Sequence, residues 1–154
     1  MKKSPSRMVI DSSVVVKWFK RGETAEREGL KLRDEILSSS VSVLTTELLQ
    51  LEVCRALVKA GYPSGKVEEA YAALDEMHNL GFMTSVPIAK LADQAKDLIV
   101  RLNLYVADSI VLAASILNSS DLLTEDRHLL KEEVKKLMKG KGLQVVRLQE
   151  LYRE

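Results

Sequence analysis

Met8-Val9-Ile10-Asp11-Ser12-Ser13-Val14-Val15-Val16-Lys17-Trp18-Phe19 sets one carboxylate and two hydroxyls between two apolar runs. The first run, residues 8–10, is short and partly β-branched, which predicts a buried strand. Asp11 then stands at that strand's C-terminal end. Ser12 or Ser13 can cap a following helix, because a hydroxyl oxygen there accepts from the helix's free N–H groups. In an open parallel sheet, ligands bind in the crevice outside the carboxyl ends of the strands. A carboxylate delivered there by the first strand is therefore a candidate site residue; the alternative is that Asp11 only begins a turn.

Outward from this stretch the chain alternates strands and helices. Apolar spacing predicts a short helix over 14–20 closed by Gly22, and a second, capped by Thr24, running to residue 38. A strand over 41–44 precedes a helix over 47–60 ended by Gly61. A helix over 64–79 follows, then a strand over 82–86. Pro87 suits a first helical turn, and the period from Ile88 to Leu102 is helical. Residues 106–119 form a helix that is apolar on nearly all sides. A strand over 121–124, a helix over 126–138, a strand over 143–146 and a short tail over 148–152 complete the chain. Strands separated by helices imply a three-layer α/β/α fold around a mostly parallel sheet of about five strands.

Composition bounds the function classes. A chain of 154 residues fits a single domain over 1–154 with a real core, residues 1–7 reading as a flexible basic lead-in. Lys plus Arg is 23 against 22 for Asp plus Glu, a net charge of +1, which excludes an overall basic coat but not a local basic groove. Cys54 is the only cysteine, so no intramolecular disulfide forms and a reducing compartment is expected. No uncharged apolar stretch is long enough to span a membrane, and no apolar signal core follows the basic start. The expectation is a soluble cytoplasmic protein.

Four acids stand out. On the helix over 47–60, Leu49, Val53, Ala56, Leu57 and Ala60 share a face at 100° per residue. Glu52 lies at the edge of that face and Glu47 roughly opposite. A carboxylate at a buried edge needs a partner, and Arg55 or Arg101 would be the plain structural choice. Asp108 sits in a narrow polar stripe of an apolar helix, where capping and the helix dipole offer an ordinary explanation. Asp126 follows a strand and opens the predicted helix, with the same alternative. As a set, Asp11, Glu52, Asp108 and Asp126 each lie at a strand end, a helix start or a buried helix edge. Four carboxylates converging at one sheet edge repel one another unless a cation joins them. Hard oxygen donors suit Mg²⁺ or Mn²⁺, and with His78 and His128 the only imidazoles a zinc site lacks ligands.

The order Asp11-Ser12-Ser13, Leu51-Glu52-Val53, Tyr105-Val106-Ala107-Asp108, Leu122-Leu123-Thr124-Glu125-Asp126-Arg127 resembles the PIN-domain family, and within it the VapC-type toxins of prokaryotic toxin–antitoxin pairs. Val14-Val15-Val16-Lys17-Trp18-Phe19 is similar to that group too. The resemblance runs over residues 9–148. It implies that Asp11, Glu52, Asp108 and Asp126 hold the metal, with Thr124 the hydroxyl of the family's Thr-x-Asp and Ser13 in support. His128 stands where many members carry a further acid. The resemblance also implies metal-dependent endoribonuclease activity on RNA, a homodimer or higher homo-oligomer, and a partner antitoxin. Phosphodiester hydrolysis needs an activated water and a stabilised leaving oxygen, which one or two divalent ions supply.

Lys17, Arg55, Lys59 and Arg127 are candidate phosphate contacts, with solvated surface roles as the alternative. Residues 131–141 read as the wet face of a helix. Trp18 and Tyr105 could stack on bases or pack in the core. Two rival readings remain. A haloacid-dehalogenase-type phosphatase wants a second Asp two residues after the first, where Ser13 stands, and a response-regulator receiver wants paired acids and a late lysine that are not found. A non-catalytic PIN fold that binds RNA or protein is the other.

Overall fold

A computed structural model describes residues 7–153. Most of the expected N-terminal lead-in, residues 1–6, lies outside the described residues; Arg7 already belongs to the first strand. The strands are β1 (Arg7–Ile10), β2 (Ser42–Thr46), β3 (Met83–Val86), β4 (Asp121–Leu123) and β5 (Val145–Val146). They form one sheet in the order β3-β2-β1-β4-β5. Every pairing is parallel, with Val9 opposite Leu44 on one side and Leu122 on the other.

The helices are α1 (Ser12–Val15), α2 (Glu26–Leu37), α3 (Leu49–Lys59), α4 (Ser64–Asn79), α5 (Ala92–Leu102), α6 (Val106–Leu117), α7 (Glu132–Gly140) and α8 (Leu148–Leu151). Because side chains alternate across a strand, β1 feeds two cores. Met8 and Ile10 pack with Val43, Met83 and Leu123 under α1 to α4 and α8. Val9 packs with Leu44, Val86 and Leu122 under α5, α6 and α7. A sheet buried on both faces has near-continuous apolar strands, as 8–10 and 122–123 are. The chain leaves β1 toward β2 and β3, then crosses to β4 on the other side of β1, so the strand order reverses between β1 and β4. That reversal opens the crevice in which such sheets bind ligands.

Five local expectations change. The first helix is a single turn, α1, continued by a 3-10 turn over Val16–Trp18. Thr24 does not cap α2; Ala25 holds that position at φ 59°, while the Thr24 carbonyl accepts from Lys17 Nζ at 2.6 Å. Pro87 and Ile88–Lys90 make a separate 3-10 turn before α5. Ala60 is exposed rather than on the buried face of α3. Asp126 does not open a helix: its Oδ1 accepts the His128 N–H at 2.7 Å. That side-chain-to-backbone bond favours a turn over a helix, and α7 starts only at Glu132. Among the described residues no single helix is long and apolar enough to cross a membrane.

Candidate active site at the crevice between β1 and β4

Asp11 follows β1 and is still tied into the sheet, its N–H donating to Leu123 O at 3.0 Å. Its side chain is 6% exposed. Ser13 Oγ donates to Asp11 Oδ2 at 2.7 Å and Thr124 Oγ1 donates to the same oxygen at 2.8 Å. Each hydroxyl oxygen in turn accepts a backbone N–H, from Glu125 to Ser13 at 2.9 Å and from Asp126 to Thr124 at 3.0 Å. A hydroxyl has one proton, and both protons are aimed at Asp11. The 3.3 Å approach of Ser13 to Thr124 therefore follows from their shared acceptor. The result is a closed ring that joins the end of β1 to the end of β4 and fixes one carboxylate.

Burial pushes the Asp11 carboxyl above its ordinary range, the Ser13 and Thr124 hydroxyls pull it back, and the Asp126 charge adds to the rise. Glu52, half-buried on α3, is raised to about 7, first by burial and then by the charges of Asp11 and Asp108, with the Ser12 hydroxyl acting the other way. Asp108, 8% exposed in the first turn of α6, is raised to about 7 by burial, then Asp126 and Asp11, against a pull from Lys131. Helices from opposite layers thus bring Glu52 and Asp108 within electrostatic reach of the two acids at the sheet. Among the described residues no ion pair links Glu52 to Arg55 or Arg101. Glu47 lies apart and exposed, and its Oε1 accepts the Ile88 N–H at 2.5 Å.

The donors here are all oxygen, as Mg²⁺ or Mn²⁺ prefers. As the side chains stand, no group of three or more among the described residues is gathered tightly enough to enclose an ion. The set fits a divalent cation by chemistry and charge, since a cation offsets both the burial of Glu52 and Asp108 and their repulsion by neighbouring acids.

Other expected contacts fall differently. Lys17 is not available to a phosphate: it is 5% exposed, bonded to the Thr24 carbonyl and 3.7 Å from Glu23. Arg55, Lys59 and Arg127 are exposed. Trp18 is buried and donates Nε1–H to Gly29 O at 2.9 Å, so it packs. Tyr105 is 69% exposed, against the core-packing alternative.

Two features escape the sequence. The Lys131 charge acts on Asp108 from the N-cap of α7, an influence hidden while residues 126–138 read as one helix. Glu125, 7% exposed, is held by Arg147 Nη2 at 3.0 Å and by the Leu148 N–H at 2.9 Å. Nothing in the local pattern marks that pair, which spans 22 residues.

The fold is shared with solved structures at low identity. A Mycobacterium tuberculosis VapC20, a sarcin-ricin loop cleaving toxin, matches with TM-score 0.61 at 16% identity over 78% of this chain and 90% of its own. VapBC2 of Rickettsia felis, bound to a DNA fragment from its promoter, matches with TM-score 0.60 at 14% over 92% and 98%. A toxin–antitoxin complex from Klebsiella pneumoniae matches with TM-score 0.59 at 16% over 90% and 95%. No curated protein matches the sequence. The PIN domain profile matches residues 8–135, and the chain belongs to the PIN-domain family.

Proposed function

We propose that this protein is a Mg²⁺- or Mn²⁺-dependent endoribonuclease that hydrolyses phosphodiester bonds in RNA, acting as the VapC-type toxin of a type II toxin–antitoxin pair. The observation that carries the reading is the convergence of Asp11, Glu52, Asp108 and Asp126 at the crevice between β1 and β4, with Asp11 locked by two hydroxyls. The structural likeness to toxins found with antitoxins supports the biological half.

In this reading Asp11 and Asp108 hold the metal, which when bound activates water and steadies the leaving oxygen. Asp11 is the central ligand because Ser13 and Thr124 allow it one orientation. Glu52, half-buried beside Asp11 and Asp108, completes the metal's shell or orients the attacking water. Asp126 completes the acid set from a turn pinned by its own bond to His128. Arg55 and Arg127 are exposed and free to meet phosphates. Leu51 and Val58, seven residues apart on one face of α3, are 62% and 55% exposed, and Tyr71 on the neighbouring α4 is 43% exposed. Leftover apolar surface of this kind often marks an interface, and we assign it to a second copy or the antitoxin. Leu48 is not part of it, being packed against the α5–α6 core.

The test is incubation of the pure chain with structured and unstructured RNA in Mg²⁺, Mn²⁺ or EDTA, beside Asp11→Asn and Asp108→Asn. Cleavage is expected only with metal and only in the wild type. Cleavage that persists in EDTA or survives both substitutions overturns the mechanism.

A further inference from the structure

Tyr105 lies three residues before Asp108 and caps α6 with extended backbone, φ −66° and ψ 157°. Residues three apart at a helix start are neighbours on its surface. The Tyr105 ring stands edge-on to the His128 imidazole, with centroids 5.2 Å apart and planes at 82°. His128 is itself joined by its N–H to Asp126 Oδ1. The aromatic pair therefore bridges two of the four acid positions, one on α6 and one on the turn after β4. An edge-on contact occupies one face of one ring at most, and Tyr105 remains 69% exposed, with Val106 beside it 64% exposed. Beyond that one edge contact, most of the Tyr105 ring lies in water at the rim of the acid cluster and adds little to the fold. Arg127 is exposed on the same turn, and the Lys131 charge reaches Asp108.

We propose that Tyr105 and His128 form a stacking rim for one unpaired nucleobase adjacent to the phosphate cut at the acids, with Arg127 and Lys131 meeting the flanking strand. This rests on the ribonuclease reading and assigns the side chains that hold the base beside the cut. Bases splayed out of a strand stack on aromatic side chains, whereas a duplex hides their faces. Stacking is also tolerant of base identity, so the rim selects for an unpaired base rather than for a particular sequence. A protein occupant is less well matched, because the exposed apolar area here is two residues wide and flanked by cations.

The test uses the full chain carrying Asp11→Asn, which keeps RNA intact, and a fluorescently labelled short single-stranded oligoribonucleotide in Mg²⁺, read by anisotropy. Tyr105→Ala is expected to weaken binding about ten-fold or more, since one base–aromatic stack is worth that much. Tyr105→Phe keeps the ring and should bind like the parent, and His128→Ala should fall between. An oligonucleotide abasic at the stacked position should bind the parent as weakly as the intact strand binds Tyr105→Ala, and no more weakly to Tyr105→Ala itself. Because Tyr105 is exposed, Tyr105→Ala should melt with the parent. If the parent binds RNA and Tyr105→Ala binds it equally well, the rim is overturned while the ribonuclease reading stands. If the parent binds no RNA and the wild type cleaves none, both fall. If Tyr105→Ala changes self-association by light scattering and leaves RNA binding alone, the rim is a protein interface and the proposal is wrong.

Discussion

Asp11 shows how much support one carboxylate needs. Burial opposes its charge, and the two hydroxyl donors that favour the charge are each backed by a backbone amide. Thr124→Val keeps the shape, removes one donor from Asp11 and leaves the Asp126 N–H without its acceptor. Hydrogen bonds to charged groups contribute about 1.5–3 kcal/mol, so Thr124→Val should lose about 2 kcal/mol in urea unfolding and most RNA cleavage. Thr124→Ser keeps the oxygen and should retain both. Equal stability of the two variants would mean that the ring does not hold Asp11. The two glutamates near the start of α3 separate in the same way. Glu52→Gln removes a titrating group from the acid set and should abolish cleavage. Glu47→Gln retains an oxygen for the Ile88 N–H, stands apart from the acids, and should leave both stability and kcat close to wild type. Comparable losses in the two variants would remove Glu52 from the site.

At the scale of elements, the post-β4 segment is held from behind by the C-terminal strand and helix. Arg147 follows β5, outside residues 8–135 of the family match, yet it grips Glu125, whose neighbours Thr124 and Asp126 belong to the candidate site. Only Nη2 makes the contact, and the Arg147 Nε is buried without a partner. A lysine, which offers a point donor rather than a planar fork, should therefore substitute well. Arg147→Ala should cost about 1–3 kcal/mol, because the guanidinium is 43% exposed but the Glu125 carboxylate it leaves behind is 7% exposed. It should lower kcat more than it raises KM, whereas a clamp with no bearing on the acids would leave kcat unchanged. This pair also marks where sequence reading stops. Strand β1, helix α4 and the parallel sheet were legible because apolar period and helix-ending glycines agree there, whereas the order of the strands was not. The acid candidates stand out by position, Asp11 at a strand end and Glu52 beside a buried helix face, but Asp126 sits in a turn and not at the helix start expected of it. The start of α7 was not legible either: residues 126–138 carry helical spacing, but a single bond from the Asp126 side chain to the backbone turns the chain first. Lys17 failed for a related reason. A lysine beside an acid site reads as a phosphate contact until the loop carbonyl that captures it, seven residues on, is in view. Pairings between side chains and distant backbone leave no period in a sequence.

Across the whole molecule a net charge of +1 conceals a concentration of negative charge at one edge of the sheet. Glu52 and Asp108 have folded-state pKa values of about 7, well above the ordinary carboxylate range that applies to the unfolded chain. Between the unfolded values and pH 7 the native state therefore binds more protons than the unfolded state. Stability falls as pH rises through that window, by at most about 1.4 kcal/mol per pH unit for each proton of difference. Above pH 7 both states are ionised and the slope from these groups vanishes. The metal-free protein should thus have a Tm that declines from about pH 5 to 7. Asp108→Asn should flatten the decline and melt higher than wild type at pH 7, because an amide carries no charge to repel Asp11 and Asp126. A divalent cation acts oppositely, since it binds only the deprotonated set and so binds tighter as pH rises toward 7. Wild type should gain about 2.7 kcal/mol from Mn²⁺ at a hundred times its Kd, and Asp108→Asn much less. Melts of both proteins at pH 5, 6 and 7, with EDTA or Mn²⁺, measure every term. A metal-free Tm that rises from pH 5 to 7, together with equal Mn²⁺ shifts in the two proteins, would mean that the four acids are solvated independently. The crevice between β1 and β4 would then hold structural caps rather than a cation site.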